Sequence, residues 1–243
     1  MRQDHRQPDQ LRPVVIQRGY TQSAPGSVLI QCGRTTVLCT ASVDLHVPAW
    51  MAGRGRGWIT AEYSMLPGST RPRKRRDRGA HMDGRSTEIQ RLVGRSLRAV
   101  ADLSLLGERT LTVDCDVLEA DGGTRTAAIT AALVALVDAL ESIRYDLPDP
   151  PHYPLRQSVA AVSVGLVADE VLLDLDHGED SAARVDMNVV MTGGGRFVEV
   201  QGTGEEATFT EDELTAMVRL ARSGIGRLTD LQREALGDLW PFA

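Results

Sequence analysis

Gly122, Gly123, Thr124 and Arg125 stand between a strand-like run and a helix-like run, within CDVLEADGGTRTAAI from Cys115 to Ile129. Paired glycines let a backbone come close to a ligand. The first N–H groups of a helix have no internal partner, and the helix dipole adds positive potential there. An arginine at that point supplies a planar, bidentate donor suited to phosphate. The pattern points to an anion site, with phosphate as the anion. An ordinary strand-to-helix turn would use the same residues, so on these alone the two readings stand even.

Acidic residues gather further on, in DLDHGEDSAARVDMN, where Asp180 and Asp186 flank a small-residue turn before a strand. Two carboxylates near a strand end can hold Mg²⁺, which takes oxygen ligands and commonly shares them with phosphates. Glu179 could assist. A solvated acidic turn is the competing explanation for this segment by itself. Arg85, near a predicted helix start, could place a second charge on the anion. Between Arg71 and Arg78 the run RPRKRRDR holds six basic residues and one Asp, in a chain whose net charge is −6. One basic patch on an acidic body suits a polyanion, although charge runs are more often solvated loops.

The elements that must position these residues follow from periodicity. Val14 to Gln17 reads as a short strand. GSVLIQC and TVLCTASV, around Gly33-Arg34-Thr35, read as a hairpin. A long Gly-rich and then charged loop surrounds a strand at Trp58 to Tyr63. Thr87 and Gln90 fit a capping box, followed by helical spacing of Ile89, Leu92, Val93, Leu97 and Val100. LTVDCDVL is a strand, and a helix runs from Thr126 to Ile143. YDLPDPPHYP, with its four prolines, is a linker. Two more hairpins follow: AAVSVGLV with VLLDLD, and MNVVMT with RFVEVQGT. A second capping box at Thr210 and Glu213 opens a helix, and a last helix spans Leu228 to Leu239. Hairpins followed by strand–helix units in both halves predict a duplicated α+β architecture. The first half covers about 10–147, the linker about 148–156 and the second half about 157–243, within a single domain of 1–243.

Composition narrows the classes. Hydrophobic residues make up 42% and charged residues 25%, as expected of a globular chain with a real core. Aromatics are only 4%, against a module that holds single-stranded RNA mainly by base stacking. No apolar run approaches a membrane span, and the polar N-terminus is not a secretory signal. Cys32, Cys39 and Cys115 lie in apolar strand-like runs and are expected to be buried thiols in a reducing compartment. There is no GxxxxGK[ST] loop, no GxSxG elbow and no recognisable Cys–His or Ser–His spacing. Chemistry by positioning and electrostatics fits what remains.

GRGRGWITAEYSMLPGST, RSTEIQRLVGRSLRA, LTVDCDVLEADGGTRTAAITAA, AAVSVGLV, EDSAARVDMNVVMT and EVQGTGE together resemble the ribonuclease PH family, collinearly from about Arg12 to about Leu236. The resemblance implies two βαβα-like halves of the ribonuclease PH fold (ribosomal protein S5 domain 2-like). It implies a homo-hexameric ring, a trimer of dimers, in the cytoplasm. The implied activity is phosphorolytic 3′→5′ trimming of precursor tRNA, a nucleotidyltransferase reaction that releases nucleoside diphosphates and runs in reverse. Ribosomal RNA is a further candidate substrate. The resemblance places inorganic phosphate, the co-substrate, on Arg85, Gly123, Thr124 and Arg125. It places Mg²⁺ near Asp180 and Asp186, and RNA along Arg71, Arg73 and Arg76; Gly68 stands where some members carry an arginine. For Asp180 two roles are open, proton donor to the leaving 3′ oxygen or metal ligand. The alternatives are a catalytically silent RNA-binding ring subunit, a hydrolytic nuclease and a nucleoside phosphorylase.

Overall fold

β-Branched and aliphatic residues alternate with polar ones along most of the early strands, and this period-two pattern builds a sheet with one buried face. In the computed structural model, which describes residues 2–76, 83–204 and 207–242, that sheet has five strands. They are β1 (Val14–Arg18), β2 (Gly26–Cys32), β3 (Thr35–Asp44), β4 (Trp58–Met65) and β5 (Thr110–Glu119). The order is β1-β2-β3-β5-β4, with β4 parallel to β5 and the other pairs antiparallel. Two helices, α1 (Gly84–Ala99) and α2 (Thr124–Ser142), pack against it.

A second sheet, all antiparallel, has the order β7-β6-β8-β9. Its strands are β6 (Val159–Val167), β7 (Glu170–Leu173), β8 (Val185–Thr192) and β9 (Phe197–Gly204). A short helix α3 (His177–Ala182) joins β7 to β8, and a long helix α4 (Glu211–Leu236) follows β9. β6 is apolar almost throughout because both its faces are covered. Val159 and Ala161 belong to the core shared with α2, while Ala160, Val162 and Val164 face Met217, Ala221 and Ile225 of α4. α2 is therefore buried nearly all round between the two sheets, which explains its run of Ala, Leu and Val. Gln232 of α4 is fully buried and donates to the carbonyls of Thr130 in α2 and Val159 in β6, fastening three layers.

Several local expectations need correction. The α1 cap is Asp83, whose carboxylate accepts from Arg85 N, and the helix begins before Thr87. α2 begins at Thr124 and ends at Ser142, two residues earlier than expected at its start and one at its end. The segment between Asp180 and Asp186 is not a plain turn, because Asp176 and Glu179 form a capping box that nucleates α3. The predicted helix from Leu228 is the continuation of α4, since nothing between Leu214 and Leu228 breaks the periodicity. The Thr210–Glu213 capping box is present. The C-terminal Trp240 and Phe242 are partly buried against the main core and meet edge to face at 4.9 Å.

Candidate active site

The α2 N-terminus is built for close approach. Gly122 and Gly123 both have positive φ, 78° and 65°, a conformation that glycine adopts without strain. A Cβ on Gly122 would lie 2.5 Å from the carbonyl oxygen of Leu175, so only glycine lets this turn rest on the loop that enters α3. Gly123 is the N-cap residue and no side chain caps the helix, which leaves its first N–H groups available. Thr124 is buried, and its Oγ1 accepts from Tyr63 Oη of β4 at 2.8 Å. Burial pushes the Tyr63 hydroxyl above its ordinary range, so it keeps its proton and donates. That leaves the Thr124 hydroxyl hydrogen free to donate into the cleft.

Arg125 is oriented by two residues that sequence reasoning missed. Its Nη1 donates to Glu88 Oε1 of α1 at 3.1 Å and to Gln201 Oε1 of β9 at 2.8 Å. Gln201 Nε2 donates to the same Glu88 oxygen. One edge of the guanidinium is thus held by α1 and β9, and the remaining nitrogens are left for a ligand. Both positions lie in quoted motifs, Glu88 in RSTEIQR and Gln201 in EVQGTGE, but their meeting across 113 residues has no local signal. Arg85 stands in the first turn of α1. The Asp83 cap is itself held below the ordinary carboxylate range by its hydrogen bond to Lys74 Nζ at 2.8 Å. This bond draws the basic segment to the start of α1.

These parts open onto one cleft of about 710 Å³. Arg71, Lys74, Arg85, Gly123, Thr124, Arg125, His177, Asp180, Asp186 and Asn188 are among its lining residues. Of the residues expected to touch RNA, Arg71 lines the cleft, whereas Arg73 and Arg76 are exposed beside it. Asp77 and Arg78 of the basic run, Glu205 of EVQGTGE and the final Ala243 lie outside the described residues. Burial raises the Asp180 carboxyl above its ordinary range and the charge of Asp186 raises it further, against the opposing pull of Arg85, His177 and Arg125. The two aspartates are thus close enough to repel, and with the amide of Asn188 they offer only oxygen donors besides the nearby cations. Such a set fits Mg²⁺ completed by water and phosphate oxygens. Among the described residues no cluster of three His, Cys, Asp or Glu side chains could hold a metal unaided. Glu179 does not join this set, because both its oxygens are engaged by Arg2.

A two-sheet α+β protein whose sheets close on a cleft of arginines, a helix N-terminus and paired carboxylates belongs to the phosphate-handling enzymes in its chemistry. Comparison with known proteins agrees. The family model described as "3' exoribonuclease family, domain 1" matches residues 10–140, and "3' exoribonuclease family, domain 2" matches 157–224. The chain belongs to the ribonuclease PH family. A protein from Rhodopirellula baltica named ribonuclease PH is 61% identical over 232 residues, 94% of each chain. Two solved structures share the fold. Rice (Oryza sativa) Rrp46 has a TM-score of 0.78 at 21% identity, covering 97% of this chain and all of that one. A chain of the Archaeoglobus fulgidus exosome with RNA bound to its active site has a TM-score of 0.79 at 24% identity, covering 94% and 91%.

Proposed function

We propose that this cleft carries out the reaction of the family: phosphate-dependent 3′→5′ exonucleolysis that trims the 3′ end of precursor tRNA. The carrying observation is that Arg85, Thr124, Arg125, Asp180 and Asp186, drawn from α1, α2, α3 and β8, line one space. Inorganic phosphate is a co-substrate of this activity. We assign it to Arg85, Arg125, the Gly123–Thr124 backbone and the Thr124 hydroxyl.

Attacker and target are both anions, so the chain's first task is to offset their repulsion and fix the attacking oxygen in line. Arg85, Arg125 and the α2 N-terminus do this for phosphate. A phosphate oxygen then bonds to the phosphorus of the last phosphodiester, and the bond from that phosphorus to the preceding 3′ oxygen breaks. The terminal nucleotide leaves as a nucleoside diphosphate and the RNA keeps a free 3′-hydroxyl. The departing oxygen needs a proton. The Asp180 carboxyl, raised by burial and then by the charge of Asp186, supports Asp180 as the donor. Asp186 would hold Mg²⁺, joined by Asp180 only in the alternative in which Asp180 is a carboxylate ligand and not the proton donor, and the ion when bound supplies positive charge against the phosphates.

Arg71, Arg73 and Arg76 are assigned to the incoming strand. Because both sheets contribute to the cleft, residues 1–243 are read as one domain. The neighbours in exosome assemblies support a ring, here a homo-hexamer arranged as a trimer of dimers, and sedimentation at the mass of six chains is the expected result. Three free, buried cysteines support a reducing, cytoplasmic setting. Among the described residues no helix is long and apolar enough to cross a membrane.

Reversibility provides the test. An RNA with a free 3′-hydroxyl, given nucleoside diphosphates and Mg²⁺, should lengthen and release one inorganic phosphate per nucleotide added. Extension only from triphosphates would overturn the reading.

A further inference from the structure

Residues 2–12 form a polar arm with three buried arginines, Arg2, Arg6 and Arg12. Apart from bonds to Asp4, Gln7 and Gln10 within the arm, their partners are concentrated. Arg2 grips Glu179 with two bonds, Nε to Oε1 at 2.6 Å and Nη2 to Oε2 at 2.7 Å. Arg2 and Arg6 each donate to the carbonyl of Asp174 at 3.0 Å. Arg12 donates to both carboxylate oxygens of Asp174, at 2.7 and 3.0 Å, and to the carbonyl of Asp121 at 2.6 Å. Every one of these acceptors lies next to the chemistry. Glu179 is the residue before Asp180, Asp174 begins the loop into α3, and Asp121 precedes the glycine pair.

Buried ion pairs are a poor way merely to attach an arm, because apolar side chains of similar volume hold as well or better. What they add is fixed geometry. Asp174 sits at φ 54°, a left-handed conformation that a non-glycine residue keeps only when its surroundings over-determine it. Glu179 Oε2 also accepts from Asp176 N, so Arg2 clamps the capping box that nucleates α3.

We propose that Arg2 is a positioning residue for the reaction. Through Glu179 it sets the first turn of α3, and with it the placement of Asp180 against the phosphate held by the α2 turn. Arg12 ties the same loop to that turn, and Arg6 holds the loop from the arm through the Asp174 carbonyl and Glu179 Oε2. The inference rests on the phosphorolytic reading of the cleft. Removing the Arg2 guanidinium should not release the arm, because Leu173 N donates to the carbonyl of Pro8 and Arg12 remains in place.

The test is steady-state kinetics on the full chain with inorganic phosphate and a tRNA bearing extra 3′ nucleotides. Arg2→Met should lower kcat about tenfold or more, since small displacements of a reacting group are that costly. The KM for phosphate should stay within about twofold, because Arg85 and Arg125 are untouched. Arg2→Lys, which keeps the charge and loses the fork, should fall between wild type and Arg2→Met. The double variant with Glu179→Gln should be no worse than Arg2→Met alone. Unchanged kcat in Arg2→Met, additive losses in the double variant, or a phosphate KM that rises in parallel would each overturn the inference while leaving the proposed function standing. A wild-type protein with no phosphate-dependent release would overturn the proposed function, and the inference with it.

Discussion

Single side chains carry the phosphate assignment, and Arg125 does so most directly. Its guanidinium is pre-oriented by Glu88 and Gln201, so little order is lost when an anion arrives. Arg125→Ala should raise the phosphate KM or lower turnover by about a hundredfold, the scale of losing one pre-organised donor to developing charge. RNA binding, measured by filter retention or anisotropy, should be nearly unchanged. An equal fall in RNA affinity would reassign Arg125 to the strand. Tyr63→Phe is a milder probe, because it keeps the ring and removes only the bond to Thr124. It should weaken phosphate use by about tenfold at most, in keeping with one hydrogen bond. At this scale the sequence was informative where chemistry and local spacing coincide. GGTR and the Asp180–Asp186 pair could be singled out because glycine, helix starts and paired carboxylates have local signatures. Glu88, Gln201 and Tyr63 could not, since their roles exist only through contacts between distant strands and helices.

The elements meet at the joint between the 121–123 turn and residues 174–179, the loop into α3 and its first turn. Burial alone would raise the Asp174 carboxyl, but the hydrogen bonds and charge of Arg12, with Arg6, hold it below the ordinary carboxylate range. A carboxyl with a depressed folded-state pKa stabilises the fold at pH values above its unfolded pKa, and that contribution fades as pH falls through the folded value. Arg12→Met should remove the main partner and leave a buried acid whose pKa is raised instead. The variant is then penalised at neutral pH, where the carboxyl must ionise, and relieved on acidification. The difference in Tm between wild type and Arg12→Met should therefore shrink from pH 7 to about pH 4. A difference that stays constant or grows would mean that Asp174 is not held by Arg12. Periodicity located most strands and helices, because a half-buried strand and an amphipathic helix write their faces into the chain. It failed where local capping decided the outcome. Asp83 outcompetes Thr87 as a cap, and Asp176 with Glu179 turns an expected loop into α3. The arm of residues 2–12 reads from sequence only as a polar start to the chain, since arginines that pair with carboxylates more than 150 residues away carry no local pattern.

The whole molecule presents an acidic body with one basic segment at the mouth of its cleft, where Lys74 ties that segment to α1. RNA affinity should fall steeply with salt. Replacing Arg71, Arg73 and Arg76 together by Ala should flatten the plot of log K against log salt by about two, from the loss of three single-strand phosphate contacts. An unchanged slope would move the RNA path elsewhere. Duplication of hairpin and helix was readable from the order of elements. The stacking of α2 between two sheets was not, although its uniform apolarity is the consequence.

The most direct measurement uses purified protein, Mg²⁺ and a tRNA carrying extra 3′ nucleotides, with and without inorganic phosphate, and identifies what is released. Nucleoside diphosphates appearing only when phosphate is present is the predicted result. Nucleoside monophosphates released without phosphate would make the enzyme a hydrolase, and RNA bound without any release would make it a silent ring subunit. Either outcome contradicts the phosphate site assigned to Arg85 and Arg125.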